Sequence, residues 1–408
     1  MSKTLWIVSG GIEAVPGILL AKEMGLHVVV SDLNPQAPGL KIADDTILAS
    51  TYDVDATVAA ASNYHHAVRP VDGVMCIASD VPLTVASVAA ALRLPGISIE
   101  SARLATDKLA MKEKFSADGV PVPWFSPVES ADHLRRIVTE RGLPLVLKPV
   151  DSRGARGVLR LAHDVDLAWA YSLSLSHSPT GRVMVEQFLS GPQVSTESLV
   201  IDSIAHTPGF ADRNYEYLEK YAPHIIENGG QLPSHLSQET QRAVKELVQK
   251  AALSLGIRDG VVKGDIVVFD GRPFVIELAA RLSGGYFCTH EIPLNTGVDL
   301  VRHAIRMALG EKPAPSDLEP RFNRAVVQRY LFPKPGRVVS ISGVDEVSAQ
   351  PEIALCEIRV APGDVIGPVD SHPARAGVVI ATSDNVESAL EKATRAIDTI
   401  KIETEPLS

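Results

Sequence analysis

The sequence predicts a multi-domain protein of mixed α/β and α+β class. Three observations carry that expectation. The first hundred residues alternate short apolar runs with helical patterns. Further along, Asp270-Gly271 separates two strand-like runs. Beyond residue 322, short strands alternate with turns and end in one amphipathic helix. With 408 residues and ~100–200 residues per domain, two to four domains are expected. Hydrophobic residues make up 45% and charged residues 22%, so the chain can bury a core and disorder is excluded as its main state.

Each element has a local reason. Leu5-Trp6-Ile7-Val8 reads as a buried strand ending at Ser9-Gly10-Gly11, with a helix over 14–23. His27-Val28-Val29-Val30-Ser31 is a second strand, ending in Asp32, and Gly73-Val74-Met75-Cys76-Ile77 is a third. A helix rich in Ala and Val follows near 81–93. Continuous apolar strands between helices argue for a parallel, doubly wound sheet. Asp32 stands where a dinucleotide fold holds a ribose hydroxyl. Gly10-Gly11 lacks the expected third glycine, so the reading is a Rossmann-like sheet without a dinucleotide.

From Thr106 the texture changes. Asp107-Lys108 opens a helix through Phe115, and Gly119, Pro121 and Pro123 mark a connection. A helix over 131–141 precedes a strand that ends at Lys148, and the loop Asp151-Ser152-Arg153-Gly154-Ala155-Arg156-Gly157 follows. Strands are expected at 158–161, 182–186 and 194–200, and a long helix at 237–255. The runs 264–269 and 273–278 form a hairpin, because Asp-Gly suits its tight turn. The Pro-rich stretch at 312–320 reads as a linker. The tail is expected to hold strands at 325–331, 338–341, 353–360 and 377–381, then a helix over 386–400. The expected domains are 1–105, 106–312 (with a lid at about 120–190) and 322–408.

Composition excludes several classes. The net charge is −10 and no Lys/Arg block is present, which argues against a nucleic-acid partner but leaves room for a local phosphate pocket. Cys76, Cys288 and Cys356 form no CxxC pair, which excludes a disulfide framework and a zinc ribbon. No run of ~18 apolar residues exists, and the apolar run at 5–8 is too short for a signal peptide. A cytoplasmic location with no membrane partner is the expectation.

The hairpin carries the chemistry. Asp265 and Glu277 lie near the outer ends of its paired strands, where two carboxylates repel unless a cation sits between them. Mg²⁺ takes one or two carboxylates together with substrate phosphates, so these two are the expected metal ligands. Arg281 follows four residues after Glu277, suited to an anionic transition state. Ser283-Gly284-Gly285 offers backbone N–H groups nearby. Lys148 followed by a glycine-rich loop suits phosphates, although the Walker pattern is absent.

This ordered set resembles the ATP-grasp superfamily of ATP-dependent carboxylate ligases. The matching pieces are Thr106-Asp107-Lys108, Leu145-Val146-Leu147-Lys148-Pro149 with its loop, the hinge-like run Val183-Met184-Val185-Glu186-Gln187-Phe188-Leu189-Ser190-Gly191, Val194-Ser195-Thr196-Glu197, and Asp265, Glu277 and Arg281. The resemblance implies an N-terminal Rossmann-like domain, a central ATP-grasp fold and a small C-terminal α+β domain. It implies that Lys108 and Lys148 hold the ATP phosphates and that the loop carrying Ser152 and Gly154 closes over them. Glu186, Phe188 and Leu189 would face adenine, and Glu197 would take the ribose hydroxyls. Asp265 and Glu277 would bind Mg²⁺, usually two ions, with Mn²⁺ as a substitute. Arg281 would steady the transferred phosphate. The family often carries Asn where this chain has Ala279, and often Glu in place of Asp265.

Ile225-Ile226-Glu227-Asn228-Gly229-Gly230-Gln231-Leu232-Pro233 and the run from Glu277 to Gly285 resemble L-amino-acid ligases, as does the tail with Pro335-Gly336-Arg337-Val338-Val339. That implies an amide- or peptide-forming ligase working through an acyl phosphate and releasing ADP and phosphate. Its partners would be a small carboxylate and an amine, with an amino acid among them. Glu227, Gly284 and Gly285 are the substrate-side candidates, and Glu227 reads equally well as a solvated loop residue. Dimerisation through the N-terminal domain is common in such ligases. Two alternatives stay open: a purine-pathway ligase or carboxylase acting on a ribosyl phosphate, for which Arg69, Arg93 and Arg103 are the available cations, and a nucleotide-binding pseudoenzyme. His65-His66, His224, His235, His290, Trp124 and Trp169 read as structural or solvated. Cys288 reads as a pocket-lining residue at most.

Overall fold

The computed structural model describes residues 2–407. Strands Thr4–Val8, His27–Asp32, Asp45–Leu48 and Gly73–Met75 form one parallel sheet, in the spatial order third, second, first, fourth. Asp45–Leu48 escapes sequence reading because it alternates half-buried and exposed residues at an edge and has no apolar run. Asp32 serves the local backbone. Its carboxylate accepts from the N–H groups of Gly10 and Asn34, both at 2.9 Å, and so fixes the turn after the first strand.

A second, antiparallel sheet is built from Phe125–Val128, Val183–Gln187, Leu145–Pro149 and Leu159–Leu161, in that order. Helices Ala131–Arg141 and Leu167–Ser176 cover one face of it, burying Leu134, Ile137 and Ala170 against Leu145, Leu147 and Val185.

The third sheet has eight strands. Their order is Arg272–Ala279, Gly260–Phe269, Gln193–Ile201, Ile204–Arg213, Gly230–Leu232, Ala325–Leu331, Gly377–Ser383 and Ile353–Ile358. Its Ile204–Arg213 strand is hidden in the sequence by Pro208 and Gly209, and the register slips between His206 and Gly209. Pro within a run argues against a strand, and here a bulge absorbs it. Helix Gln238–Ser254 starts where the Ser237 side chain accepts from Thr240 N–H, and its apolar stripe of Val244, Leu247, Val248, Ala251 and Ala252 packs on the hairpin.

The stretch read as a linker at 312–320 is largely exposed but is anchored to the core. It holds the short turn Pro315–Leu318, and Leu318 is buried in a core shared by Leu5 and Ile7, by Leu199 and Leu282, and by Val326 and Ile380. One apolar core thus joins all three parts of the chain. A small sheet of Val365–Ile366, Gly336–Ser342 and Lys401–Glu405, with helix Val386–Thr399 nearby, completes the C-terminal end.

Candidate active site

A cavity of about 1110 Å³ lies where the lid sheet, the hairpin, the N-terminal sheet and the C-terminal segment meet. Lys108, Lys148, Ser152, Gly154, Glu186, Phe188, Leu189, Glu227, Asp265, Glu277, Arg281, Gly284 and Gly285 all line it. Glu197, expected there, does not.

At one end, Lys148 is buried on Leu145–Pro149 and its Nζ lies 2.5 Å from Glu186 Oε1. Lys112, four residues after Lys108 on helix Lys108–Ala117, reaches Glu186 Oε2 at 2.9 Å. Burial pushes the Lys112 ammonium down to about 8, against the pull of Glu186. Burial works to raise the Glu186 carboxyl, but the two lysines outweigh it and hold it below the usual range. The Glu186 carboxylate is therefore a clamp for lysines, which leaves the backbone of 187–191 and the side chains of Phe188 and Leu189 as the adenine-facing candidates. Lys108 Nζ donates to Ser152 O at 2.9 Å and lies 3.0 Å from Glu277 Oε1, tying the glycine-rich loop to the hairpin.

Glu197 requires a correction. It is fully buried on Gln193–Ile201, where its carboxylate accepts from both the N–H and the hydroxyl of Ser283. Burial pushes it up to about 7, although both Ser283 bonds act to lower it. Gln193 and Ser195 share its strand face by alternation and do line the cavity. Further along that face, Ser283 covers Glu197 and shuts it out of the wall.

The hairpin pairs Asp265 directly opposite Glu277, as the turn chemistry implies. Ser195 Oγ donates to Asp265 Oδ1 at 3.1 Å, Arg213 Nη1 lies 2.8 Å from that oxygen, and Lys263 Nζ also contacts it. Burial works to raise this carboxyl, but Arg213 and Lys263 hold it far below the usual range. All three contacts fall on Oδ1, and the 3.0 Å contact of Lys108 with Glu277 falls on Oε1. Each carboxylate thus has a second oxygen outside these contacts. Two carboxylates plus phosphate oxygens form a donor set that fits Mg²⁺. Among the described residues, no group of three or more His, Cys, Asp or Glu is placed to hold a metal ion, so Asp265 and Glu277 would hold one only together with further oxygens, such as those of phosphates. Ala279 is buried and adds no oxygen.

The far end is assembled from distant segments. Glu13 and Asp80 follow the adjacent strands Thr4–Val8 and Gly73–Met75, between which the order of the parallel sheet reverses. Ligands bind at such carboxyl-end crevices. Arg281 Nε donates to Asp80 Oδ1 at 2.6 Å. Burial opposes its charge, but Asp80 more than offsets this and raises the guanidinium pKa. Glu13 accepts from Gly285 N–H and from Arg359 Nη2, both at 2.7 Å. Two N–H groups of the Ser283–Gly285 run are therefore engaged by protein carboxylates, Ser283 by Glu197 and Gly285 by Glu13. Glu227 pairs with Arg213 in the cavity wall and is not a solvated loop residue.

The glycine-rich loop is held from two sides. His372 N–H donates to Gly154 O at 2.9 Å, and the Arg153 guanidinium lies 3.8 Å from the Tyr52 ring centre. Cys288 lies outside the wall: it is buried, its thiol donates to Ser283 O at 3.1 Å, and burial pushes its pKa well up.

Several site residues escaped sequence reading. Lys112 carried a signal, being one helical turn from Lys108. Lys263 carried another, being two residues from Asp265 on one strand face. Glu13, Asp80, Arg359 and Arg375 have no such local mark, since they meet only in three dimensions.

The lysines, the paired carboxylates and the arginine around a nucleotide-sized cavity define an ATP-dependent ligase architecture. Residues 105–285 match the ATP-grasp domain family model, and residues 329–405 match the model for L-amino acid ligase C-terminal domain 2. Uncharacterized protein y4rH of Sinorhizobium fredii is 30% identical over 342 residues, covering 82% of this chain and 69% of that protein. Formate-dependent phosphoribosylglycinamide formyltransferase of Haloquadratum walsbyi is 25% identical over 413 residues, covering 98% and 94%. The crystal structure of L-amino acid ligase from Bacillus licheniformis superposes with a TM-score of 0.82 at 22% identity, covering 99% of each chain. The chain belongs to the ATP-grasp family of ATP-dependent ligases that form C–N bonds.

Proposed function

We propose that this chain joins a small carboxylate to an amine through an acyl phosphate, with an amino acid among its substrates. The observation that carries the reading is one continuous cavity with the hinge and lysines at one end, Asp265, Glu277 and Arg281 between, and Glu13, Glu227 and Arg359 at the other. A carboxylate is a poor electrophile because its anion repels nucleophiles. Transfer of the γ-phosphoryl group to a carboxylate oxygen makes an acyl phosphate and leaves ADP. The amine then attacks the acyl carbon, phosphate departs, and the amine loses a proton.

Lys108 and Lys148 hold phosphate oxygens in this reading, and such transfer depends on positioning and charge neutralisation. Mg²⁺ held by Asp265 and Glu277, as two ions or as Mn²⁺ in its place, would supply further neutralisation of the phosphates. Arg281, fixed by Asp80, faces the charge that develops at the acyl centre. The loop at 151–157, held by His372 and Tyr52, excludes water from a hydrolysable intermediate. The parts at 1–105, 106–312 and 322–408 act together as walls of one site, and pairing of two copies through 1–105 belongs to the same proposal.

The ribosyl-phosphate reading gains no support from its three candidate cations. Arg69 binds Ser2 and Thr4, Arg103 binds Glu100, and neither they nor Arg93 line the cavity. Phosphate release from ATP, scanned over pairs of L-amino acids with Mg²⁺ and followed by mass spectrometry, tests the proposal. Release that needs both partners, with a product lighter than their sum by one water, supports it. Release that needs a ribosyl phosphate, or nucleotide binding without turnover, overturns it.

A further inference from the structure

One wall of the cavity holds a cation that has no direct counter-ion among the described residues. Arg375 lies just before strand Gly377–Ser383, is 9% exposed and lines the cavity. Its guanidinium carbon lies 3.8 Å from the Tyr330 ring centre, and its Nη2 donates to Glu227 O at 2.7 Å. Its Nε is buried and has no hydrogen-bond partner. Among the described residues, no carboxylate lies within ion-pair distance of it. Four other cations of the wall each have one: Arg213 has Glu227 and Asp265, Lys263 has Asp265, Arg281 has Asp80, and Arg359 has Glu13 and Glu357. Arg153 and Arg156, on the more open glycine-rich loop, have none among the described residues.

A buried charge without a counter-ion is unfavourable, and the planar fork of Arg matches a carboxylate with two parallel hydrogen bonds. One guanidinium without a direct partner suits a monoanion better than a phosphate ester dianion, which would set a second negative charge beside Glu13 and Glu227. The carboxylate that becomes an acyl phosphate loses its charge during the reaction, and Arg281 beside the Asp265–Glu277 pair serves that centre. Arg375 packs on the Tyr330 ring and reaches the backbone of Glu227, whose carboxylate shares Arg213 with Asp265. A Cβ added at Gly285 would come within 2.8 Å of the Tyr330 hydroxyl, which places that hydroxyl against Gly285. A fixed cation here suits a charge that persists through both steps, such as the free carboxylate of an amino acid serving as the amine.

We propose that Arg375 anchors the free carboxylate of the incoming amine, so that the nucleophile is selected as an amino acid over a simple amine. This rests on the ligase reading above, and the test separates the two. The full-length chain is first given ATP, Mg²⁺, each standard L-amino acid singly, and hydroxylamine, which traps an acyl phosphate as a hydroxamate without any carboxylate on the nucleophile. Using the donor so found, matched L-amino acids and their α-amides are compared as nucleophiles in the wild type, R375Q and R375K. The wild type is expected to prefer the free acid by at least about tenfold in kcat/KM, the scale of one hydrogen-bonded charge. R375Q is expected to lose that preference through a raised KM for the amino acid, with R375K recovering part of it. Hydroxamate formation and the thermal midpoint of R375Q report on the donor site and on the fold.

A preference for the free acid that persists in R375Q overturns the inference and leaves the ligase reading standing. So does a loss confined to hydroxamate formation, which would assign Arg375 to the donor. No hydroxamate from any L-amino acid in the wild type overturns the amino-acid ligase reading and this inference with it.

Discussion

Glu277 bridges two functions, since its Oε1 faces Lys108 and its strand partner is Asp265. Glu277→Ala removes, from a partly exposed position, a carboxylate proposed to hold the metal, so the fold should survive while turnover falls by roughly 10²–10³ or more. Phosphate release at saturating Mg²⁺ checks this, and an unchanged rate would remove Glu277 from the site. Glu197 is a fully buried carboxyl. Burial raises its pKa to about 7 from an ordinary 4.5. Between those values the folded chain holds a proton that the unfolded chain releases, so stability is full below the lower value and falls as pH rises through the upper one. Glu197→Gln keeps an acceptor for Ser283 without the titration. Urea unfolding at pH 5 and pH 8 should show the variant gaining roughly 1–3 kcal/mol relative to wild type at the higher pH. An equal difference at both values would show that Glu197 does not titrate in this window.

The elements that matter most are those whose backbone comes close to a neighbour. Gly191 ends the hinge, and a Cβ there would stand 2.1 Å from Val268 O. That oxygen belongs to the central hairpin and cannot give way as a flexible side chain would. Gly191→Ala should therefore push the hinge away from strand Gly260–Phe269. The expected outcome is a several-fold higher KM for ATP and about 1–3 kcal/mol lower stability, read by initial rates and by denaturant midpoint. An unaltered KM would mean that the 186–191 run does not set the nucleotide site. The hairpin's own geometry was legible, because Asp270-Gly271 defines the turn and the turn defines the register of Asp265 against Glu277. Ile204–Arg213 was not legible, because a bulge at Pro208 and Gly209 breaks the alternation that marks a strand.

At the scale of the molecule, a single apolar core takes side chains from the first sheet, the central sheet and the C-terminal strands. Parts that share a core lose stability together, so calorimetry should show one dominant unfolding transition. Three well-separated transitions would contradict the shared core. The cavity follows the same logic: Asp80 and Glu13 come from the first sheet, Arg281 and Asp265 from the hairpin, and Arg359 and Arg375 from the tail. A variant in any of these segments is thus a variant of one site.

Local chemistry by itself determined much of this. Apolar runs defined the parallel strands, Asp-Gly defined the hairpin, and the ordered set of Lys108, Lys148, Asp265, Glu277 and Arg281 carried the resemblance to ATP-grasp ligases. These are patterns written over a few residues, where a period or a turn type suffices. The tertiary structure alone decided that Glu197 is sealed off, since alternation gives its strand face but not the Ser283 that covers it from 86 residues away. It also decided that Glu186 clamps two lysines, that Asp80 orients Arg281 across 201 residues of chain, and that Arg375 has no counter-ion among the described residues. Each of those depends on groups brought together from distant segments, and long-range proximity has no local period in a sequence.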